Sequence, residues 1–273
     1  MTVKLFTDDK IAETSSKGNQ EKWQDKGLWY KVDQFGYEAL SEALTSKLLE
    51  YSNIENDTPF TFVRYDIQKV KVHGFERVAC VSKNFLKKEQ NLITLNALFK
   101  KSIVGSLKSK LITLSSDKKR IMYIVDFTKD LTGLENFDKY LTLLFEVDSL
   151  ILNDDRHLNN IAVVEENGKF SYCPIFDNGA GLLSNVQVFR TDIDPKGLIP
   201  LLKASPFNMT FNRELNTIRN LYGRVINLPK FNRTKLSEIL QPMLDFYPQR
   251  DRGVILDRVI ECILQRQKHL HKV

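Results

Sequence analysis

The hydrophobic positions in the first third of the chain come mostly in short runs separated by turn residues. Leu28-Trp29-Tyr30-Lys31-Val32 is an aromatic and β-branched run that predicts a strand. After Gly36, the residues Tyr37, Leu40, Leu44, Leu48 and Tyr51 recur at the spacing of one helix face. Phe60-Thr61-Phe62-Val63 and Gln68-Lys69-Val70-Lys71-Val72 predict two more strands, and a turn at His73-Gly74 leads into a further strand at Arg77-Val78-Ala79-Cys80-Val81.

Beyond Ser82 the pattern turns helical. Asn91 to Phe99 carries apolar residues at helical spacing. Phe137 to Leu152 includes Tyr140, Leu141, Leu144, Phe145, Val147, Leu150 and Ile151, which is apolar on every face and predicts a buried central helix. Two strands follow, Ile161 to Val164 and Phe170 to Ile175, and Asn167-Gly168 between them is a strong hairpin signal. Asn212 to Tyr222 and Arg252 to His269 predict helices in the last third. No internal repeat interrupts this order. The expected fold class is α+β: a strand-rich N-terminal lobe over residues 1–84, a larger helical C-terminal lobe over residues 85–273, and a ligand cleft between them.

Composition narrows the classes without naming one. The chain is 42% hydrophobic and 27% charged, with a net charge of +6. Acids are interleaved with the bases, as in Lys83 to Glu89 and Arg250 to Asp257, and the longest basic run is only Lys118-Lys119-Arg120. That distribution describes a solvated basic surface, and no nucleic-acid partner is expected. No stretch is apolar and long enough for a membrane span. Cys80, Cys173 and Cys262 are odd in number and widely spaced, as free thiols in a reducing compartment would be. The polar start Thr7-Asp8-Asp9-Lys10 has no Sec-type signal, so the expected location is cytoplasmic, with export by a signal-less route left open.

Candidate chemistry is concentrated in Asp154-Asp155-Arg156-His157-Leu158-Asn159-Asn160, between the central helix and the hairpin, and in Phe176-Asp177-Asn178-Gly179 directly after the hairpin. The hairpin returns Asp177 to the level of Asp155 and Asn160. Carboxylates and an amide are hard oxygen ligands suited to Mg²⁺ with nucleotide phosphates. Phosphoryl transfer asks for one carboxylate at the acceptor hydroxyl, an Asp and an Asn on the metal, and a lysine on the phosphates. Asp155 lies five residues before Asn160, the spacing of a kinase catalytic loop. Asp155 is therefore the expected base, and Asn160 and Asp177 the expected Mg²⁺ ligands. His157 has no companion at ligand spacing and is expected to hydrogen-bond its own loop or the Asp177 segment. Ahead of the first strand, the small polar stretch Ser15-Ser16-Lys17-Gly18-Asn19-Gln20 can approach phosphates through backbone N–H groups. Lys31 then points into the cleft, and Glu42 or Glu38, on one flank of the next helix, is its partner, with Glu42 favoured.

These motifs resemble the HipA-like serine/threonine kinases. Gly18-Asn19-Gln20-Glu21-Lys22 matches that family's phosphate-loop signature, and Asp155-Arg156-His157-Leu158-Asn159-Asn160 followed by Asp177 matches its catalytic and metal-binding motifs. The similarity runs from Ser15 to about Phe211. It implies a two-lobed protein-kinase-like fold and transfer of the γ-phosphate of Mg-ATP to a protein serine or threonine. It also implies nucleotide contacts from Ser16, Lys17, Gly18, Gln20, Lys31, Glu42 and His157, adenine contacts from the backbone of Ala79, Val81 and Ser82, and autophosphorylation at Ser15, three residues before Gly18. Lys203-Ala204-Ser205-Pro206-Phe207 resembles a tract near the acceptor site of some smaller members. The extra N-terminal region that longer members use partly for antitoxin contact has no counterpart, which argues against a HipB-like partner. Asp-Arg-His-x-x-Asn also occurs in lipid kinases, so a lipid or small-molecule kinase and a nucleotide-binding pseudokinase stand as alternatives.

Overall fold

The computed structural model describes residues 4–5, 20–102 and 106–272. Strands β1 (Lys4–Leu5), β2 (Lys22–Asp25), β3 (Leu28–Val32), β4 (Asp66–Val72) and β5 (Phe75–Lys83) form one sheet in the order β1-β4-β5-β3-β2. All neighbours are antiparallel except β1 and β4. Helix α1 (Glu38–Leu49) follows β3 and packs against β3, β4 and β5. The short α2 (Ile54–Asp57) precedes β4.

The second part opens with β6 (Asn91–Thr94), α3 (Leu95–Ser102), α4 (Leu107–Thr113), α5 (Asp117–Thr132) and α6 (Phe137–Ile151). The hairpin β7 (Ala162–Glu166) and β8 (Lys169–Tyr172) adds to β6 as a three-stranded sheet. The helices α7 (Pro195–Leu198), α8 (Phe211–Tyr222), α9 (Arg233–Leu244) and α10 (Gln249–Leu270) complete the fold. This is the mixed α and β architecture expected from the sequence, with a strand-rich first part and a helical second part.

Local chemistry accounts for most of these elements. Lys26-Gly27, His73-Gly74 and Asn167-Gly168 all hold positive φ at both positions, the two-residue turn whose twist matches a hairpin. Helix α6 is buried on every side from Tyr140 to Ile151 and packs against α5, α8 and α10. Its last residue is followed by Leu152 in the left-handed conformation, φ 59°, which turns the chain out of the helix toward Asp155.

Three predictions of local structure change. Phe60 to Val63 is extended, but only Phe62 bridges, in parallel, to Ile175, through Val63 N–H to Ile175 O (2.9 Å) and Ile175 N–H to Thr61 O (2.8 Å). The apolar run from Asn91 to Phe99 is split: Asn91–Thr94 pairs with β7, and the helix starts only at Leu95. Lys22, placed by the sequence at the end of the phosphate-loop signature, instead begins strand Lys22–Asp25 and lies directly opposite Lys31.

Sheet alternation sorts the β3 and β5 side chains. Tyr30, Val32, Ala79 and Val81 join Trp23, Val70 and Val72 in a separate apolar cluster. Lys31 and Cys80 face the other way, and Cys80 belongs to the main core. Because α6 sits at the centre of that core, Leu144→Ala is expected to lower stability by about 2–5 kcal/mol, read from a urea unfolding midpoint.

Candidate active site

Lys31 leaves the inner face of β3 and meets two carboxylates. Its Nζ donates to Glu42 Oε1 (2.6 Å) and to Asp177 Oδ1 (2.7 Å). Glu42 uses its other oxygen to accept from Asn178 N–H at 2.8 Å. One lysine therefore ties β3, α1 and the Asp177 segment together. Glu38, the alternative partner, instead accepts from the Phe35 and Gly36 N–H groups at 2.7 and 3.1 Å, closing the chain before the helix. The two glutamates share a helix flank but serve different ends.

The electrostatics follow from this burial. Burial alone would push the Lys31 ammonium down, but the Asp177 and Glu42 charges hold its pKa well above the ordinary lysine value. Burial would likewise raise Asp177, yet Lys31, Arg156 and Lys22 pull it down to about 2. Asp177 is thus a carboxylate at all ordinary pH, with one oxygen on Lys31 and one oxygen not shared with it. Lys22, across the strand pair from Lys31, has its pKa lowered, first by burial. Two cationic side chains face Asp177 side by side.

The Asp155–Asn160 loop is held by a buried arginine. Arg156 is 0% exposed and pairs with Asp148 of α6 at 2.9 Å. Its Nη1 donates to Phe176 O (2.7 Å) and Asn160 O (3.2 Å), and its Nη2 donates to Asn178 Oδ1 (2.8 Å). Asn153 Nδ2 donates to Asp148 Oδ1 (2.9 Å) and Asp177 O (3.3 Å). One guanidinium therefore ties the Asn160 carbonyl at the end of the catalytic-type loop to the residues flanking Asp177.

Within the loop, the Asp155 carbonyl accepts from His157 N–H (2.7 Å) and Asn160 Nδ2 (3.0 Å). That contact occupies the amide nitrogen of Asn160, and its Oδ1 has no hydrogen bond among the described residues. The Asp155 carboxyl is 64% exposed, with its pKa raised first by burial and also by Asp177, while His157 and Arg156 oppose the rise. Beside it, burial and the Asp155 charge push Asp154 up to about 6.

Among the described residues His157 bonds its own loop, where Nδ1 is 3.3 Å from Asn159 N, and makes no hydrogen bond to the Asp177 segment. That connection belongs to Arg156. Gln20 donates to Val32 O at 3.0 Å, so its amide holds the approach to β2 against the end of β3. Ala79 and Val81 pair with strands on both sides, which occupies the backbone expected at adenine. The β4 ladder ends at Val81, while β3 still pairs with Ser82 and Lys83, so past Val81 only the edge toward β4 is unpaired; Phe85 follows, its ring 5.8 Å from that of Phe176. Ser15, Ser16, Lys17 and Gly18 lie outside the described residues. The Lys203–Phe207 tract closes on itself through Ala204 N–H to Met209 O (2.6 Å), and Phe207 packs edge-on against Phe145.

Sequence reasoning gave no role of their own to Arg156, Asp148 and Asn153, and placed Lys22 only within the phosphate-loop signature. Asp148 in the largely apolar stretch from Tyr140 to Ile151, which also holds Glu146, was the available signal, because a buried carboxylate needs a cation nearby. Backbone strain is also concentrated here. Leu152, Asp177, Leu182 and Leu183 are non-glycine residues at φ 57–62°. Gly36 sits so close to the segment after Asp177 that a Cβ would lie 2.0 Å from Ser184 O.

Two outcomes test this framework. Arg156→Met should cost about 3–5 kcal/mol by leaving Asp148 and its neighbours buried without a cation, measured in urea. Asp177 has a folded pKa below its unfolded one, so its stabilisation is present above roughly pH 4 and disappears as the pH falls through about 2. The stability gap between wild type and Asp177→Asn, on the order of 2 kcal/mol at pH 7, should close in acid.

No family model matches the sequence, and no curated protein matches it. Among solved structures it is similar to the Helicobacter pylori proinflammatory kinase CtkA, with a TM-score of 0.59 and 14% identity over 93% of this chain and 88% of that one. A HipA chain from the Shewanella oneidensis MR-1 HipA, HipB and operator DNA complex aligns with a TM-score of 0.48 and 13% identity, over 93% of this chain and 65% of that one. The chain therefore has the fold of CtkA.

Proposed function

We propose that the protein is an ATP-dependent kinase of the HipA-like type that phosphorylates serine or threonine in proteins. The single observation that carries this reading is the Lys31 ammonium held between Glu42 and Asp177, with the Asp155–Asn160 loop bolted to the same segment by Arg156. A lysine on the phosphates, an Asp and an Asn at a metal and a second Asp at the acceptor are the parts phosphoryl transfer requires.

The donor set fits Mg²⁺. Asp177 is kept ionised, and the Asn160 amide presents its oxygen because its nitrogen is bonded to the Asp155 carbonyl. Asn160 Oδ1 and the Asp177 carboxylate would hold the ion, which when bound neutralises charge on the phosphate oxygens. Lys31, already aligned by Glu42, carries the phosphate charge on the other side, and Lys22 adds a second cation. The purine would lie against the edge of Ser82 and Lys83 that faces away from β3, beside Phe85 and Phe176. Asp155, exposed at the mouth of the loop, orients the acceptor hydroxyl and accepts its proton as the phosphoryl group arrives. Ser15 is the proposed autophosphorylation site.

Incubation with γ-labelled ATP and Mg²⁺ tests the reading. Label is expected on this protein and on a generic protein substrate. Ser15→Ala should remove the first and spare the second. Asp155→Ala should reduce transfer by on the order of a hundredfold or more while nucleotide binding is retained, whereas Asp177→Ala should weaken Mg-nucleotide binding itself. Label on inositol lipids alone would favour a lipid kinase, and nucleotide binding without any transfer would favour a pseudokinase. Full activity in Asp155→Ala would overturn the assignment of the base.

A further inference from the structure

Among the described residues, buried Arg156 pairs with Asp148 and the largely buried Arg219 with Glu146. Arg258 turns its Nη atoms onto the carbonyls of Phe189, Arg190 and Ile193, and its Nε has no hydrogen-bond partner there. Arg266, on α10, also lacks a carboxylate, and it borders a cavity. It is 3% exposed, and no carboxylate lies within ion-pair distance among the described residues. Nε donates to Ser149 O (2.7 Å), Nη2 to Ser149 Oγ (2.6 Å) and Nη1 to Asn212 Oδ1 (2.7 Å), all neutral acceptors. A guanidinium has five N–H donors, so these contacts leave two. Burial of an uncompensated charge is costly unless an anion completes it.

The guanidinium also lines a cavity of about 460 Å³, together with Lys196, Ile199, Pro200, Phe211 and His269. The first turn of α8, a helix of 12 residues, borders the same space at Phe211 and Asn212, with the positive end of its dipole. Lys196 stands at the mouth, 61% exposed, and its nearest carboxylate, Glu261, is 3.7 Å away. A wider groove of about 640 Å³ continues from Lys196 and Gln265 along α10, where Lys230, Lys268 and Lys272 outnumber the one acid, Glu261. His271 lines it too, with Nε2 buried and lacking a hydrogen-bond partner among the described residues.

We propose that this cavity binds the phosphate of a phosphorylated serine or threonine segment of a protein, with the flanking peptide lying in the basic groove along α10. Arg266 and the α8 N-terminus hold the phosphate oxygens, and Lys196 closes over them. Ile199 and Pro200 supply the apolar wall for the side chain that carries it. A peptide fits better than single-stranded nucleic acid, which needs successive aromatic platforms for its bases. Here the cavity wall holds only Phe211 and His269 as aromatic rings among the described residues, and Phe211 already lies under the Arg266 guanidinium at 5.7 Å. The site is separate from Lys31 and Asp177 and does not rest on the proposed kinase activity.

Fluorescence anisotropy with a labelled phosphoserine peptide, its unphosphorylated counterpart, inorganic phosphate and a single-stranded RNA of similar length decides the matter. The phosphopeptide should bind at least roughly tenfold tighter than the unphosphorylated peptide, the worth of one charge-assisted hydrogen bond. Arg266→Gln should abolish that difference, and Lys196→Glu, at an exposed position, should weaken phosphopeptide binding severalfold. If Arg266→Gln fails to fold by circular dichroism, Lys196→Glu and Lys230→Glu carry the test. Equal affinity for both peptides, unchanged binding in the Lys196→Glu and Lys230→Glu variants, tighter binding of RNA, or binding of inorganic phosphate as tight as that of the phosphopeptide would each overturn the proposal.

Discussion

A guanidinium with no solvent exposure persists only if nearly all its donors are used and its charge is met, and Arg156 satisfies both conditions by drawing on three separate pieces of chain. Asp148 comes from the central helix, the Asn160 carbonyl from the far end of its own loop, and the Phe176 carbonyl and Asn178 amide from the strand exit beyond the hairpin. Apart from Asp148 on α6, none of these pieces has a regular structure that would place it unaided. The cost of burying the charge makes the arrangement nearly all-or-none, because removing any acceptor leaves a buried donor unpaired. The positions of Asp155, Asn160 and Asp177 depend on this one side chain.

Lys31 performs the matching task between the sheet and the rest of the molecule. It is fixed at one end by the β3–β5 register and at the other by Glu42 and Asp177. The sheet contributes rigidity and the carboxylates contribute direction. Gly36, whose hydrogen in place of Cβ lets the chain pass against Ser184 O, and the Phe62–Ile175 bridge bring the strand-rich part and the Asp177 segment into backbone contact. Left-handed backbone at Leu152, Asp177, Leu182 and Leu183 is the cost of aiming several side chains at one point. It is tolerated because the packed α6 helix and the two ion pairs over-determine the local geometry.

Elements with a strong local signal were legible from the sequence. The all-apolar helix at Phe137–Ile151, the Asn167-Gly168 hairpin and the β3 strand each carry their instruction within a few residues. Elements whose fate depends on a distant partner were not. Phe60 to Val63 has strand composition but only a single residue of Ile175 to pair with, so it remains an extended connector. Asn91–Thr94 becomes a strand because β7 offers it an edge, which no helical periodicity within the run could reveal. Strand β2 is mostly polar outside Trp23, whose stacking on Tyr30 emerges only in the folded sheet.

The same division applies to the candidate site. The sequence by itself determined which groups are present and roughly at what level they meet: Asp155 and Asn160 five residues apart, a hairpin of fixed length, then Asp177, with Lys31 on an alternating strand. Spacing along a chain and the period of a strand are local properties. The tertiary structure alone decided that Glu42 takes Lys31 while Glu38 accepts from the Phe35 and Gly36 N–H groups, that Arg156 and not His157 holds the Asp177 segment, and that the backbone of Ala79 and Val81 is spent on the sheet. Those outcomes turn on which polar groups are buried together. Burial is set by the packing of elements far apart in sequence, where an unpaired charge or donor is too costly to leave.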